Sequence, residues 1–395
     1  MNSDTTRKLL APFSTIQFFQ SHWENELLYI QRDIPDYYDE ILTVDHLEGY
    51  FQARHVSPHF VRVLRAGVDY ELSQWTNLEY RSHTDPGRVI AVDKLFRLFS
   101  EGATLILIAA QTGIPTLDSF CKALSKELQM QIQANIYLTP PQEQGLVAHY
   151  DPHDVFVLQI SGTKQWRFYD KKEKPVRSYS LPAKDYEGKE PETVVDLRSG
   201  DLLYVPRGTV HLAQSTNSSS VHVTIGLLTK CWFNLIEELA VLAEEDPKFR
   251  RALPHGLSSA EEKAAFLKEF TALLGDLVAS NPIELLLERT RVDARPAENL
   301  ARLSDLLRVR ELHMHSIVSL NREVEYEIED TGDAFTIKFG SEDISLPRFM
   351  KPAIESLLRS PSMAVGDIVG PLSSKTKLEL VTTLVEAGFL RIEYP

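Results

Sequence analysis

The run Gln131–Thr139, QIQANIYLT, constrains the fold more than any other stretch of the chain. Gln131, Gln133, Asn135, Tyr137 and Thr139 share one face, and Ile132, Ala134, Ile136 and Leu138 share the other. Side chains alternate across an extended strand, so this is a strand with one polar and one apolar side. In most soluble sheets the polar side meets water. In a barrel it can face inward, where a bound ligand needs it. Short segments at 155–160 and 165–169, joined at Ser161-Gly162-Thr163, continue the pattern. Segments 194–197 and 202–205 flank Ser199-Gly200-Asp201, and 221–228 completes the set. A run of short strands separated by turns predicts a jelly roll or small barrel.

The flanks read differently. Residues 1 to about 125 are mixed, and Phe18, Phe19, Trp23, Leu27, Leu28 and Ile30 form an aromatic-rich element expected to pack on the next domain. A turn at Gly113-Ile114-Pro115 precedes a helix over 117–128, with Thr116 as its N-cap. After Lys230 the spacing predicts helices over 233–245, 261–274 and 283–289, either a dimerisation unit or a packing layer on the barrel. From about 300 it predicts helices over 347–360, 365–369 and 374–387, then a strand over 389–393. Ser373 or Ser374 caps the last helix and Gly388 stops it. Three helices and a strand fit a winged helix. Residues 301–395 carry 11 Lys+Arg against 15 Asp+Glu, a net −4, so direct DNA binding is not expected. A protein-interaction or structural module fits better.

Composition narrows the partners. At 395 residues two or three domains are expected. The apolar run around TLILIA, 104–109, is far below the roughly 20 residues of a membrane helix, so no membrane partner is expected. The N-terminus lacks a signal-peptide core. Two cysteines make neither a metal spacing nor a disulfide framework, which suits a reducing, cytoplasmic compartment. A net charge of −14 favours a basic protein or peptide partner, or serves solubility alone.

The chemistry concentrates in HYDPHDVFVLQISGTKQWRFYD, 149–170, and GDLLYVPRGTVH, 200–211. His149 and Asp151 are two apart, so on an extended chain both can reach one ion. His211 follows Pro206-Arg207-Gly208, a turn that can redirect a strand toward them. Two imidazoles and one carboxylate can form a facial triad that leaves metal positions open, although they suit iron(II), manganese and zinc alike. With 12 histidines in the chain, a His-x-Asp pair alone is weak evidence; its coincidence with a distant histidine in strand context is stronger. His153 has at most a secondary role. Lys164 on the next strand can bind the far carboxylate of 2-oxoglutarate, with Asn135 and Tyr137 as neutral partners. Thr224 and His222 have the polar parity on a late strand and join this pocket. The bland alternatives are a solvated hairpin lysine and core aromatics at Trp166 and Phe168. No phosphate loop, His-Glu-x-x-His helix or nucleophile elbow is present.

These motifs resemble the JmjC-type cupin oxygenases, and within them the ribosomal oxygenases. The likeness lies in 135–140 (NIYLTP), His149-Tyr150-Asp151 with Val155, Phe156 and Gln159, Gly162-x-Lys164-x-Trp166, and 200–211. It implies an α+β chain with a double-stranded β-helix (jelly-roll, cupin) JmjC domain over 1–230. A helical dimerisation domain over 231–298 and a winged helix over 299–395 follow, in a homodimer. It implies Fe(II) held by His149, Asp151 and His211, and 2-oxoglutarate held by Lys164, Asn135, Tyr137 and Thr224. The activity implied is hydroxylation of an Arg or His side chain in a ribosomal protein or other peptide. Two other readings stay open. An N-methyl-lysine demethylase would release formaldehyde from methylated peptides. A non-catalytic cupin scaffold would not turn over 2-oxoglutarate.

Overall fold

A computed structural model describes residues 4–52, 56–82, 85–171, 186, 188–256, 258–281, 287, 302–321, 324, 326–330, 332–339 and 342–393. The chain divides into two compact units, Met1–Ala294 and Arg295–Pro395.

The first unit holds β1 (Leu28–Ile30), β2 (Val61–Arg65), β3 (Val68–Asp69), β4 (Thr76–Ser82), β5 (Asp85–Ile90), β6 (Thr104–Leu107) and β7 (Gln131–Thr139). It continues with β8 (Asp154–Ser161), β9 (Thr163–Lys171), β10 (Thr193–Arg198), β11 (Leu202–Val205), β12 (Thr209–Ser215) and β13 (Ser220–Leu228). Eight strands form one sheet in the order β1-β11-β8-β13-β7-β6-β2-β3, and β10-β9-β12 form a second. β4 and β5 pair as a separate hairpin.

Strand parity sorts the residues of the large sheet. Ile132, Ala134 and Ile136 of β7, Phe156 and Leu158 of β8, and Val223 and Ile225 of β13 enter one core with Leu117, Cys121 and Leu124 of helix Pro115–Leu128. Phe18 joins that core and packs on Phe156 and Tyr204, with ring centroids 5.4 and 4.8 Å away, so the N-terminal aromatic element does cover the sheet. The opposite parity points inward. Val155 and Val157 of β8 and Leu203 and Val205 of β11 meet Trp166 and Phe168 of β9 in a second core. With helices shielding its apolar side, β7 turns Tyr137 toward a cavity, while Gln131 at its start is exposed.

Helix Pro115–Leu128 begins two residues earlier than expected. Its N-cap is Ile114, without a side-chain bond, and Pro115 supplies the preset φ of the first turn. Thr116 lies inside the helix and donates to the Ile41 carbonyl at 2.8 Å. Gly162 in the β8–β9 turn has φ +69, and an added Cβ would sit 1.8 Å from the Ser219 carbonyl oxygen. Gly162→Ala is therefore expected to destabilise the protein by about 1–3 kcal/mol or more, measured by urea unfolding. A midpoint unchanged from the native chain would contradict this close approach.

Beyond β13, helices Trp232–Glu245 and Ala260–Ser280 bury Leu242 and Leu277 and leave Trp232, Phe233, Ile236 and Leu267 exposed. The helix expected over 283–289 lies outside the described residues, Leu287 apart.

The second unit contains helices Leu303–Arg308, Lys351–Arg359 and Ser374–Glu386. A sheet pairs β18 (Met363–Ala364), β14 (Ile317–Leu320) and β19 (Leu390–Ile392). A further sheet of β15 (Tyr326–Asp330), β16 (Ala334–Phe339) and β17 (Glu342–Pro347) was not expected from the sequence. The helix expected over 347–360 is shorter: β17 runs to Pro347, a 3-10 turn follows, and Pro352 lies in the first turn of Lys351–Arg359. The segment expected as a helix at 365–369 is the 3-10 turn Val365–Asp367. Ser373 does cap its helix, accepting from Thr376 N–H at 3.1 Å, and Gly388 beyond its end has φ +80.

Candidate metal centre

His149 and His211 meet through their main chains. The His149 N–H donates to the His211 carbonyl at 3.0 Å, and the His211 N–H donates back at 2.7 Å. Residues paired in this way place their side chains on one face, and the two rings lie 4.4 Å apart. The Gly208 N–H donates to the Asp151 carbonyl at 2.9 Å, which locks the second contact between the segments. One ligand atom from each of His149, Asp151 and His211 falls within 4.8 Å of the others. Among the described residues this is the one group of three His, Cys, Asp or Glu so placed.

Second contacts orient the two rings. His149 Nδ1 lies 2.7 Å from the Val147 carbonyl and His211 Nδ1 lies 2.9 Å from the Thr209 carbonyl. A carbonyl only accepts, so each Nδ1 carries the hydrogen and each Nε2 keeps its lone pair. Burial lowers the His211 pKa to about 4; His149 lowers it further and Asp151 opposes the shift. The ring is thus neutral near pH 7, the form that binds a metal. Two imidazoles, each oriented by a carbonyl at Nδ1, and one carboxylate fit a divalent transition metal.

Lys164 lies in the same cavity, of about 520 Å³ with its mouth included, whose walls also carry Tyr137, Thr224, Trp166 and His222. Its side chain is buried, Nζ donates to Thr139 Oγ1 at 2.9 Å, and no carboxylate pairs with it among the described residues. Burial lowers its pKa to about 7. The His222 ring stacks on Tyr137 at 4.7 Å, and its pKa lies well below the usual value through burial and then the Lys164 charge. Among the described residues buried Trp166 Nε1 and His222 Nδ1 have no hydrogen-bond partner. An ammonium and an indole N–H donor on the walls of one cavity suit a small anion.

Of the residues expected here, Tyr137, Lys164 and Thr224 line the cavity with the triad. Asn135 is engaged elsewhere: its Oδ1 accepts from the Ala109 N–H at 3.0 Å and from Gln133 Nε2 at 3.3 Å. His153 sits against Gly226, where a Cβ would come within 2.8 Å of its Nε2. The role of Thr139 was overlooked, although it shares the face of Tyr137. Trp166 proves to be cavity wall as well as core.

A sheet pair of this kind with such a cavity defines a cupin-type domain, and residues 107–235 match the JmjC domain family. An X-ray structure of E. coli ycfD aligns with a TM-score of 0.50 over 96% of this chain and 98% of that one, at 17% identity, which establishes shared fold. Among curated proteins, Ribosomal oxygenase 1 of Rattus norvegicus is 28% identical over 305 residues, 72% of this chain and 50% of that protein. The bifunctional lysine-specific demethylase and histidyl-hydroxylase NO66 of Drosophila erecta is 28% identical over 256 residues, 62% of this chain and 38% of that protein. The chain therefore spans about half or less of the length of these two relatives. No helix among the described residues is long and apolar enough to cross a membrane.

Proposed function

We propose that the chain is an Fe(II)- and 2-oxoglutarate-dependent dioxygenase that hydroxylates an Arg or His side chain of a ribosomal protein or another basic peptide. One observation carries the reading: a buried ammonium, with no carboxylate partner among the described residues, shares a cavity with two imidazoles and a carboxylate. His149, Asp151 and His211 would hold the metal. Lys164, with Thr139 behind it, would receive the far carboxylate of 2-oxoglutarate, and Tyr137 and Thr224 would flank it. Asn135 would support this wall through the Ala109 backbone. When bound, iron and the cosubstrate supply oxygen activation, with 2-oxoglutarate decarboxylated to succinate. The protein supplies orientation and a wall of Val155, Val157, Val205 and Trp166 that excludes water.

The names of the relatives, ribosomal oxygenase and histidyl-hydroxylase, support a ribosomal substrate, and the net charge of −14 suits a basic one. The demethylase in the second name keeps N-methyl-lysine demethylation as the alternative. Mass spectrometry of the ribosomal and small-peptide fraction, with and without the protein, is expected to show one added oxygen on one peptide. Formaldehyde release from methylated peptides without any stable added oxygen would favour demethylation. We also assign 1–230 to the oxygenase domain, 231–298 to a dimerisation domain and 299–395 to a winged helix. The exposed Trp232, Phe233, Ile236 and Leu267 support a homodimer, so sedimentation is expected to give the mass of two chains. A reducing, cytoplasmic compartment suits ferrous iron and the two free cysteines.

A further inference from the structure

Arg207 stands in the turn between β11 and β12, and its neighbours serve the metal centre directly. The Gly208 N–H holds the Asp151 carbonyl at 2.9 Å, and the Thr209 carbonyl holds His211 Nδ1 at 2.9 Å. Gly208 has φ +76, a backbone freedom that does not fix the turn by itself. The Arg207 side chain, only 9% exposed, spans the space around this turn. Its Nε lies 3.2 Å from Oδ2 of Asp154, an ion pair without hydrogen-bond alignment; Asp154 is wholly buried three residues after Asp151 at the start of β8. Its Nη1 donates to Thr229 Oγ1 at 3.2 Å, just past β13, and Nη2 pairs with Glu24 of the N-terminal arm. Asp154 Oδ1 also accepts from the Tyr204 hydroxyl at 2.6 Å, and that hydroxyl accepts the Glu24 N–H at 2.8 Å.

We propose that Arg207 is a positioning residue: its guanidinium, paired in charge with Asp154 and bonded to Thr229, holds the turn that presents Asp151 and His211 to the metal. The inference rests on the metal-binding reading above. A buried ion pair adds little stability over an apolar pair of the same shape, so its place beside two ligand-bearing segments points to orientation. A lysine keeps the charge but reaches one of these anchors, not three. Groups that orient metal ligands affect metal affinity directly.

The test is Mn(II) titration followed by electron paramagnetic resonance, with a thermal melt of each sample. Native protein is compared with Arg207→Gln, Arg207→Lys, Glu24→Gln and the double variant Asp154→Asn/Arg207→Gln. Both Arg207 single variants are expected to weaken Mn(II) binding by about tenfold or more. Glu24→Gln should stay within about twofold, because that carboxylate is 51% exposed. The double variant leaves no buried charge unpaired, so its melting temperature should recover while its Mn(II) affinity does not. Native-like affinity in a folded Arg207 variant would overturn the proposal, as would affinity that recovers with stability in the double variant. If the native chain itself bound no Mn(II), the metal site would fall, and this inference with it.

Discussion

His211→Ala is expected to abolish iron-dependent conversion of 2-oxoglutarate to succinate while the protein stays folded. The side chain is 6% exposed, and its Nε2 faces Asp151, 3.8 Å from Oδ2. Removing one of three ligands leaves a metal with two protein contacts, too few to hold it in an open site. The fold should survive because the bridge to His149 uses main-chain atoms, which the substitution leaves in place. The lost ring contacts with Trp166 and Phe168, at 5.5 and 6.3 Å, should reduce stability by about 1–3 kcal/mol. Succinate by mass spectrometry, Mn(II) binding by electron paramagnetic resonance and a circular-dichroism melt test the three parts. Native-level turnover in the variant would remove His211 from the ligand set.

Lys164→Met should produce opposite effects on binding and on stability. Truncating one partner of a buried charge pair removes about 2–5 kcal/mol, so the Kd for 2-oxoglutarate should rise roughly 30-fold to several thousand-fold. Without the cosubstrate, however, the ammonium is buried with a hydroxyl as its partner. An apolar side chain of similar length should therefore stabilise the unliganded protein, on the order of 1–4 kcal/mol. The pH dependence follows from the pKa, lowered by burial from 10.5 to about 7. Below pH 7 the lysine is charged in both folded and unfolded states and the penalty is complete. Between about 7 and 10.5 the unfolded chain binds more protons, so native stability rises with pH in that window. The variant lacks this slope, and its advantage should shrink between about pH 6 and about pH 9 in urea unfolding. A variant less stable than the native chain at both pH values, or one that binds 2-oxoglutarate normally, would contradict the role given to Lys164.

What the sequence made legible follows from local rules. β7 and β11 have the expected limits because their side-chain pattern changes abruptly at a turn on each side. The triad was legible because two ligands sit two apart on extended chain and strand order brings the third opposite them. Lys164 was legible through its parity on β9, although its burial comes from Thr139 and the cavity walls rather than from its neighbours in sequence. Arg207 and Asp154 were not legible as a pair. They stand 53 residues apart in sequence, and the N-terminal arm, through Glu24 on Arg207 and on the Tyr204 hydroxyl of β11, helps close the space around them. The sheet of β15, β16 and β17 was not expected from the sequence; its outer strands expose acidic residues such as Glu327, Glu329 and Asp343. In the fold Phe335, Ile337 and Phe339 bury the alternate face of the central strand.

The central claim is that His149, Asp151 and His211 hold one divalent ion while Lys164 binds the distal carboxylate of 2-oxoglutarate in the same cavity. Diffraction from crystals grown anaerobically with Mn(II) and 2-oxoglutarate, recorded to locate the metal by its anomalous signal, tests both halves at once. The expected result is one peak about 2.0–2.3 Å from both imidazole Nε2 atoms and an Asp151 oxygen, with a carboxylate at hydrogen-bond distance from Lys164 Nζ. A metal peak elsewhere, or a cosubstrate whose distal carboxylate lies away from Lys164, would contradict the account.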